Sequence, residues 1–369
     1  MKQLLAYCLS IILCVSFTGC MENYLDLYPE DKITSASFPE NESDIKLLLN
    51  GVYAQLREKE VYNQGLFGFG ITDGATPNAF NWGTDEVFNK LGAGRLSSSD
   101  GGVVTYRWKR CYEIISRANY LLACMDLVDL SEEAKAKYSG ETHFLRGLAY
   151  SVLAETYGGV PIILTDISTE EARSLKRASL EETWQQALDD YEVAITNLGV
   201  DAPEPGRATK GAALGMKMRA YLYQGKYKEV LSCVEQIDAL KKYGLFHSYE
   251  GLFDPANENN KEVLFDIQYI EGENSQGSYI DQYCGTGTGS WTRGSRYVPT
   301  DDLVAAYETI DGSPVDPENP YENRDPRLGF TAVLPGSYFL GYRFPNYLYP
   351  GGAFNHAGNR LKHLSTRKY

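Results

Sequence analysis

Between Thr209 and Leu240 the chain reads TKGAALGMKMRAYLYQGKYKEVLSCVEQIDAL, two amphipathic stretches divided by one glycine, Gly225. Ala212, Gly215 and Ala220 keep one face of the first stretch small, so a second helix can approach closely. A short polar hinge and a second apolar stripe then follow. Such a pair must bury its stripes helix against helix, which commits the chain to a layered helical body. Upstream stretches carry the same period. Ile45, Leu48, Leu49, Val52 and Leu56 predict a helix over 44–59, and Trp108, Cys111, Tyr112, Ile115, Asn119, Leu122 and Met125 predict one over 104–127. Ser131 followed by Glu132 and Glu133 opens another, because a hydroxyl cap and early acids both suit a helix N-terminus. Phe144, Leu148, Ser151, Val152 and Glu155 mark one side of it, and Gly158, Gly159 and Pro161 end it. A further helix is expected over 180–198.

The 209–240 pair resembles a tetratricopeptide hairpin, although Val230 stands where that repeat usually has Ala. FLRGLAYSVLAETYGG echoes it earlier, with Arg146-Gly147 placed like Arg219-Ala220. From 243 onward Gly, Asn, Ser, Tyr and Pro dominate. There VLFDIQY (263–269) alternates like an edge strand, and 300–309 alone looks helical. The expectation is a mainly α fold: a tetratricopeptide-like core of helical pairs over 43–242 with an inserted Gly-rich loop at 60–102. A long loop-rich region with short β-strands then fills 243–369.

The N-terminus, MKQLLAYCLSIILCVSFTGC, has one positive charge, Lys2, and an apolar run from Leu4 to Phe17. That run is shorter than the ~20 apolar residues a membrane span takes and suits a signal peptide. Small Thr18 and Gly19 precede Cys20, as in a bacterial lipobox, although Phe17 stands where Leu is commonest. Residues 1–19 are therefore expected to be removed and Cys20 acylated; plain secretion with a chance Cys is the alternative. Residues 20–42 would form the leash. More than one acyl chain is needed for firm anchoring, since each buried CH₂ contributes about 0.8 kcal/mol.

The net charge of −14 disfavours nucleic acid and anionic lipid headgroups as partners. Of seven cysteines, Cys8 and Cys14 would leave with the signal peptide. Cys111, Cys124, Cys233 and Cys284 show no C-x₂-C spacing and are expected as buried free thiols. There is no GxSxG, HExxH, P-loop or EF-hand pattern, and His143, His247, His356 and His363 never fall at i, i+4. No catalytic residue, metal ligand or cofactor is assigned. A glycosidase needs two flanking carboxylates, and no local pattern favours such a pair.

Four blocks in order carry a family resemblance: the lipobox with ENYLDLYPEDKIT, then ETHFLRGLAYSVLAETYGGVPII, RYVPTDDLVAAYETIDGSP and YENRDPRLGFTAVLP. From Cys20 onward the chain resembles the SusD/RagB outer-membrane lipoproteins of Bacteroidetes. The resemblance implies a tetratricopeptide-like helical core and a loop-rich glycan-binding surface. It also implies a SusC-like TonB-dependent transporter as partner, which receives the captured oligosaccharide. Family members normally continue beyond the point matching Tyr369, so the chain is expected to be incomplete at its C-terminus. Residues 330–369 are then expected to lack fixed structure beside an uncovered apolar helix face.

Sugars stack their C–H faces on aromatic rings and offer hydroxyls to Asp, Asn, Gln or Arg. Two loops have that composition. One holds Asp73, Asn78, Asn81 and Trp82; the other holds Tyr279, Tyr283, Trp291 and Arg293. The alternative for either Trp is a loop anchor packed on the helices. Trp108 and Trp184, at helical spacing, are expected in the core. Asn323-Arg324-Asp325-Pro326-Arg327 is expected to be structural: Pro326 biases Asp325 to extended backbone, and Arg324 and Arg327 clip the loop region to the core. The leading reading is glycan capture. Peptide or glycoprotein capture, a structural adaptor and a surface glycan hydrolase are the alternatives.

Overall fold

The computed structural model describes residues 38–57, 73–81, 90–97, 99–202, 204–269, 297–339, 342–343 and 365–366. The fold is mainly helical. In chain order the helices are α1 (Glu42–Tyr53), α2 (Val103–Cys124), α3 (Glu132–Tyr157), α4 (Thr169–Ser174), α5 (Leu180–Asn197), α6 (Lys210–Tyr223), α7 (Tyr227–Ala239), α8 (Asp301–Ala306) and α9 (Pro326–Thr331). The caps are chemical. Asn41, Ser131, Ser179 and Thr209 each accept a first-turn N–H through the side chain, and Ser179 with Glu182 closes a reciprocal capping box. Gly158, at φ +74°, ends α3, and Gly225, at φ +69°, turns α6 into α7.

Helix α3 is the central element. It packs on α2, α5 and α1, and α5 in turn packs on α6. Phe144, Leu145 and Tyr150 are wholly buried. Burial runs almost all round α3 from Gly140 to Ala154 rather than along the single stripe the spacing suggested; Glu155 lies at the surface. Close packing on α5 needs Gly147. A Cβ there would stand 3.0 Å from the Tyr191 ring and 3.1 Å from the Ala187 carbonyl oxygen. One residue earlier, Arg146 points into the interior. Its Nη2 donates to Asp190 Oδ1 at 2.7 Å, its Nε reaches both Asp190 oxygens, and its Nη1 donates to Asn119 Oδ1 at 2.8 Å. Asn119 Nδ2 then donates to the Ile163 and Thr165 carbonyls. All three side chains are buried, so α2, α3, α5 and the 160–165 segment share one polar knot.

Several expectations change here. Arg219 is exposed, so the Arg146/Arg219 echo marks two different environments. The first helix gives way to a 3₁₀ turn at Ala54–Arg57. Residues 263–269 form no strand, and no described residue pairs with 264–269 through the main chain. Helix α9 and the 3₁₀ turns Gly251–Phe253 and Pro255–Asn257 add helical pieces after 243. Among the described residues of 330–369, β3 (Ala332–Val333) pairs antiparallel with β6 (Ser365–Thr366), and β4 (Tyr338–Phe339) with β5 (Tyr342–Arg343). On α7, Cys233 alone is buried and Leu231 is 63% exposed.

Trp184 is buried. Trp108 packs half-buried on the core, its ring 5.0 Å from Tyr112 and 5.2 Å from Tyr157. Cys111, Cys124 and Cys233 are buried and free; burial pushes the Cys111 thiol up to about 12. Cys284 lies outside the described residues.

Replacing Arg146 by Ala strands the Asp190 carboxylate and should cost about 3–5 kcal/mol in urea unfolding. The double replacement Arg146→Met with Asp190→Leu, which removes both charges, should recover at least half of that loss. A double variant as unstable as the single one would show that the stranded Asp190 charge is not the source of the loss.

Candidate functional site

The loop-rich region is tied to the insertion by a two-stranded ribbon. β1 (Ala79–Asn81) runs antiparallel to β2 (Tyr297–Pro299), with Ala79 opposite Pro299, Phe80 opposite Val298 and Asn81 opposite Tyr297. Antiparallel pairing places Asn81 and Tyr297 at the same end. In the chain, Trp82 follows Asn81 and Arg296 precedes Tyr297. The segment that begins at Trp82 and the one that ends at Arg296 therefore join the ribbon at one end, although more than 200 residues separate them, whereas Asp73 and Asn78 precede its other end.

Thr300 locks this arrangement. Its N–H donates to the Asn78 carbonyl at 3.0 Å, its hydroxyl donates to the Pro77 carbonyl, and that same oxygen accepts the Leu303 N–H at 3.1 Å to cap α8. The 73–78 turn is built on Asp73, whose carbonyl accepts both the N–H and the hydroxyl of Thr76. Thr76 Oγ1 in turn accepts the Asn78 N–H. Beneath it the 90–100 loop is fixed by Lys90, which donates to Asp100 at 2.8 Å. That hydrogen bond, with those from the Ser97 backbone and hydroxyl, holds the Asp100 carboxyl down at about 2.

Asp73 and Asn78 are exposed on this turn. Asn81 is placed by its backbone at the ribbon's end. Trp82, Tyr279, Tyr283, Trp291 and Arg293 lie outside the described residues, as does Cys20. The sequence reading passed over Phe80. It is 49% exposed, whereas its cross-strand partner Val298 is buried. A ring between two Asn residues in a Gly-rich loop was the available signal, the same one that singled out Trp82.

Behind the ribbon, Arg324 is nearly buried. Its guanidinium donates to the Pro320, Val304 and Tyr307 carbonyls, gathering the end of α8. Glu308–Ile310 and Asn323–Asp325 close around it through Ile310 N–H to Asn323 O and Asp325 N–H to Glu308 O. Asp325 caps α9 through the Arg327 N–H, and the Arg327 guanidinium folds back on that same carboxylate, lowering its pKa. Among the described residues, the hydrogen-bond partners of both guanidinium groups lie within the loop region. The expected clip to the helical core is replaced by a local one.

Among the described residues no group of three His, Cys, Asp or Glu is placed to hold a metal. No described helix is long and apolar enough to cross a membrane.

A family model described as "Starch-binding associating with outer membrane" matches residues 23–222, and one described as "SusD family" matches residues 261–367. Among curated relatives, SusD-like protein P25 of Formosa agariphila is 26% identical over 81% of this chain and 58% of its own length. A SusD-like protein of Bacteroides ovatus is 23% identical over 69% of this chain and 48% of its own. The chain thus spans about half the length of the curated relatives it matches. A SusD-like carbohydrate-binding protein of Bacteroides fragilis superposes with TM-score 0.76 at 26% identity, covering 89% of this chain and 67% of that one. A surface glycan-binding protein A of Bacteroides uniformis has TM-score 0.66 at 15% identity, covering 89% and 68%, and so shares the fold.

Thr300→Val keeps the shape but removes both the donor to Pro77 and the α8 cap. It should speed hydrogen exchange of the 79–81 and 297–298 amides and cost about 1–2 kcal/mol. Unchanged exchange in the ribbon would show that Thr300 does not hold it.

Proposed function

This chain belongs to the SusD family, and on that premise we propose that it captures oligosaccharides at the cell surface for import through a SusC-like TonB-dependent transporter. The observation that carries the binding half of this reading is the ribbon. Its paired strands lead, at one end, into two aromatic, Asn- and Gly-rich segments, and ring faces and polar side chains from both would meet one ligand. The transporter half rests on the family. The absence of a recognisable catalytic pattern in the sequence supports binding rather than cleavage.

Lipid attachment at Cys20 fits this reading, since a capture protein must stay beside its transporter. The family is associated with the outer membrane. An acyl anchor facing outward would keep the ligand loops clear of the bilayer.

Binding should be measured with starch-, laminarin- and xylan-derived oligosaccharides. Trp82→Ala, Trp291→Ala and Phe80→Ala should each weaken the affinity of whichever series binds by about fivefold to thirtyfold, the scale of one aromatic contact. Unfolding midpoints should stay unchanged. A lost midpoint with no separate effect on binding would make these rings structural anchors. Separately, Cys20→Ala should move the protein out of the membrane fraction. Retention after a high-salt wash would contradict the lipid anchor.

A further inference from the structure

Far from the ribbon in sequence, residues 263–269 have the alternation of an edge strand but no partner. Residues 265–269 run without turn or bend, half-buried throughout. Among the described residues, none makes a main-chain hydrogen bond with 264–269. The Asp266 carboxylate is likewise without a hydrogen bond or ion pair there, and the Tyr269 hydroxyl is buried without a hydrogen-bond partner. Half-buried backbone is rarely left this way, because each unpaired N–H or C=O forfeits a hydrogen bond.

The segment borders two adjoining cavities of about 200 and 280 Å³, which share Pro205, Gly206, Arg207, Phe265 and Asp266 as walls. The anchoring on the far side is tight. Phe265 packs against Phe144 with ring centroids 4.9 Å apart, and Ile267 packs on the core.

We propose that residues 264–269 are a docking edge for an extended, cationic peptide, which adds to them as a strand. An extended main chain offers donors and acceptors at about 3.3 Å per residue, and another extended main chain is the ligand that matches that spacing. A saccharide fits less well, because the rings in the walls are already engaged: Lys242 lies over the half-buried Tyr243 ring at 5.7 Å. The Arg207 guanidinium covers the Tyr53 ring at 4.8 Å, and Phe265 meets Phe144 edge-on. The charge preference follows from what is already neutralised. Arg207 pairs with Glu141 and Glu204, Lys242 pairs with Asp201, and Arg57, which also lines the first cavity, has an interaction of its own. Asp266 is left as the unpaired charge that both cavities share, with Lys261 exposed at the rim of one. A net charge of −14 also draws cations towards the surface.

The test is amide hydrogen exchange on the full chain, with and without a capped heptapeptide of alternating Thr and Val carrying one central Lys. The peptide should slow exchange within 264–269 by about tenfold or more, and Asp266→Asn should weaken that protection at low salt. The same peptide N-methylated at every residue should give none. Four results would each overturn the proposal: no protection by the heptapeptide, equal protection by the N-methylated peptide, protection in the free chain that is already complete or grows with protein concentration, or protection by oligosaccharides alone. The fate of the ribbon's glycan reading is independent of all four.

Discussion

The Arg146 guanidinium, buried between Asp190 and Asn119, is the contact on which the rest depends. A buried charge is tolerable only when its donors and acceptors are met, and this one is met by two helices at once. Asp190 comes from α5 and Asn119 from α2. Asn119 also ties down the irregular 160–165 segment, which Tyr150 grips by donating to the Ile163 carbonyl and accepting its N–H. Hydrophobic burial would hold these helices together in several registers. The knot favours one, because sliding α3 by a turn would strand a charge.

From that fixed body the functional reading follows outward. Helices α2 and α3 give a rigid frame, and the insertion between α1 and α2 returns to it through the ribbon. β1 alone is three residues long and could not persist; its pairing with β2, locked by Thr300 and backed by the Arg324 clip, makes it a support. Binding loops gain from such mounting, since a ligand then has less freedom to freeze out. The 264–269 edge is built on the opposite logic: its side chains are anchored, yet its main chain is unspent.

Much of the helical body was legible in the sequence because caps and stops are local chemistry. Ser131, Thr209, Gly158 and Gly225 act on the residues beside them, so their spacing reads directly as helix ends. What was not legible is long-range. Nothing local in AFN and YVP says that they pair across more than 200 residues, and nothing in Arg146 or Arg219 says which one is buried. VLFDIQY misled for the same reason: alternation reports a half-buried extended chain but not whether a partner strand exists. The two glycan loops were chosen from composition, which finds exposed aromatic and amide residues. Composition overlooked Phe80, whose exposure depends on the ribbon's tertiary setting, and could not say that the segments beginning at Trp82 and ending at Arg296 join the ribbon at one end.

The two aromatic segments should act as one ligand site. Hydrogen exchange on the full chain, saturated with whichever starch-, laminarin- or xylan-derived oligosaccharide binds, is the sharpest check. Residues 73–81 and 297–300 should gain protection together, at the same ligand concentration. Protection of one strand without the other, or protection confined to the helical body, would contradict it.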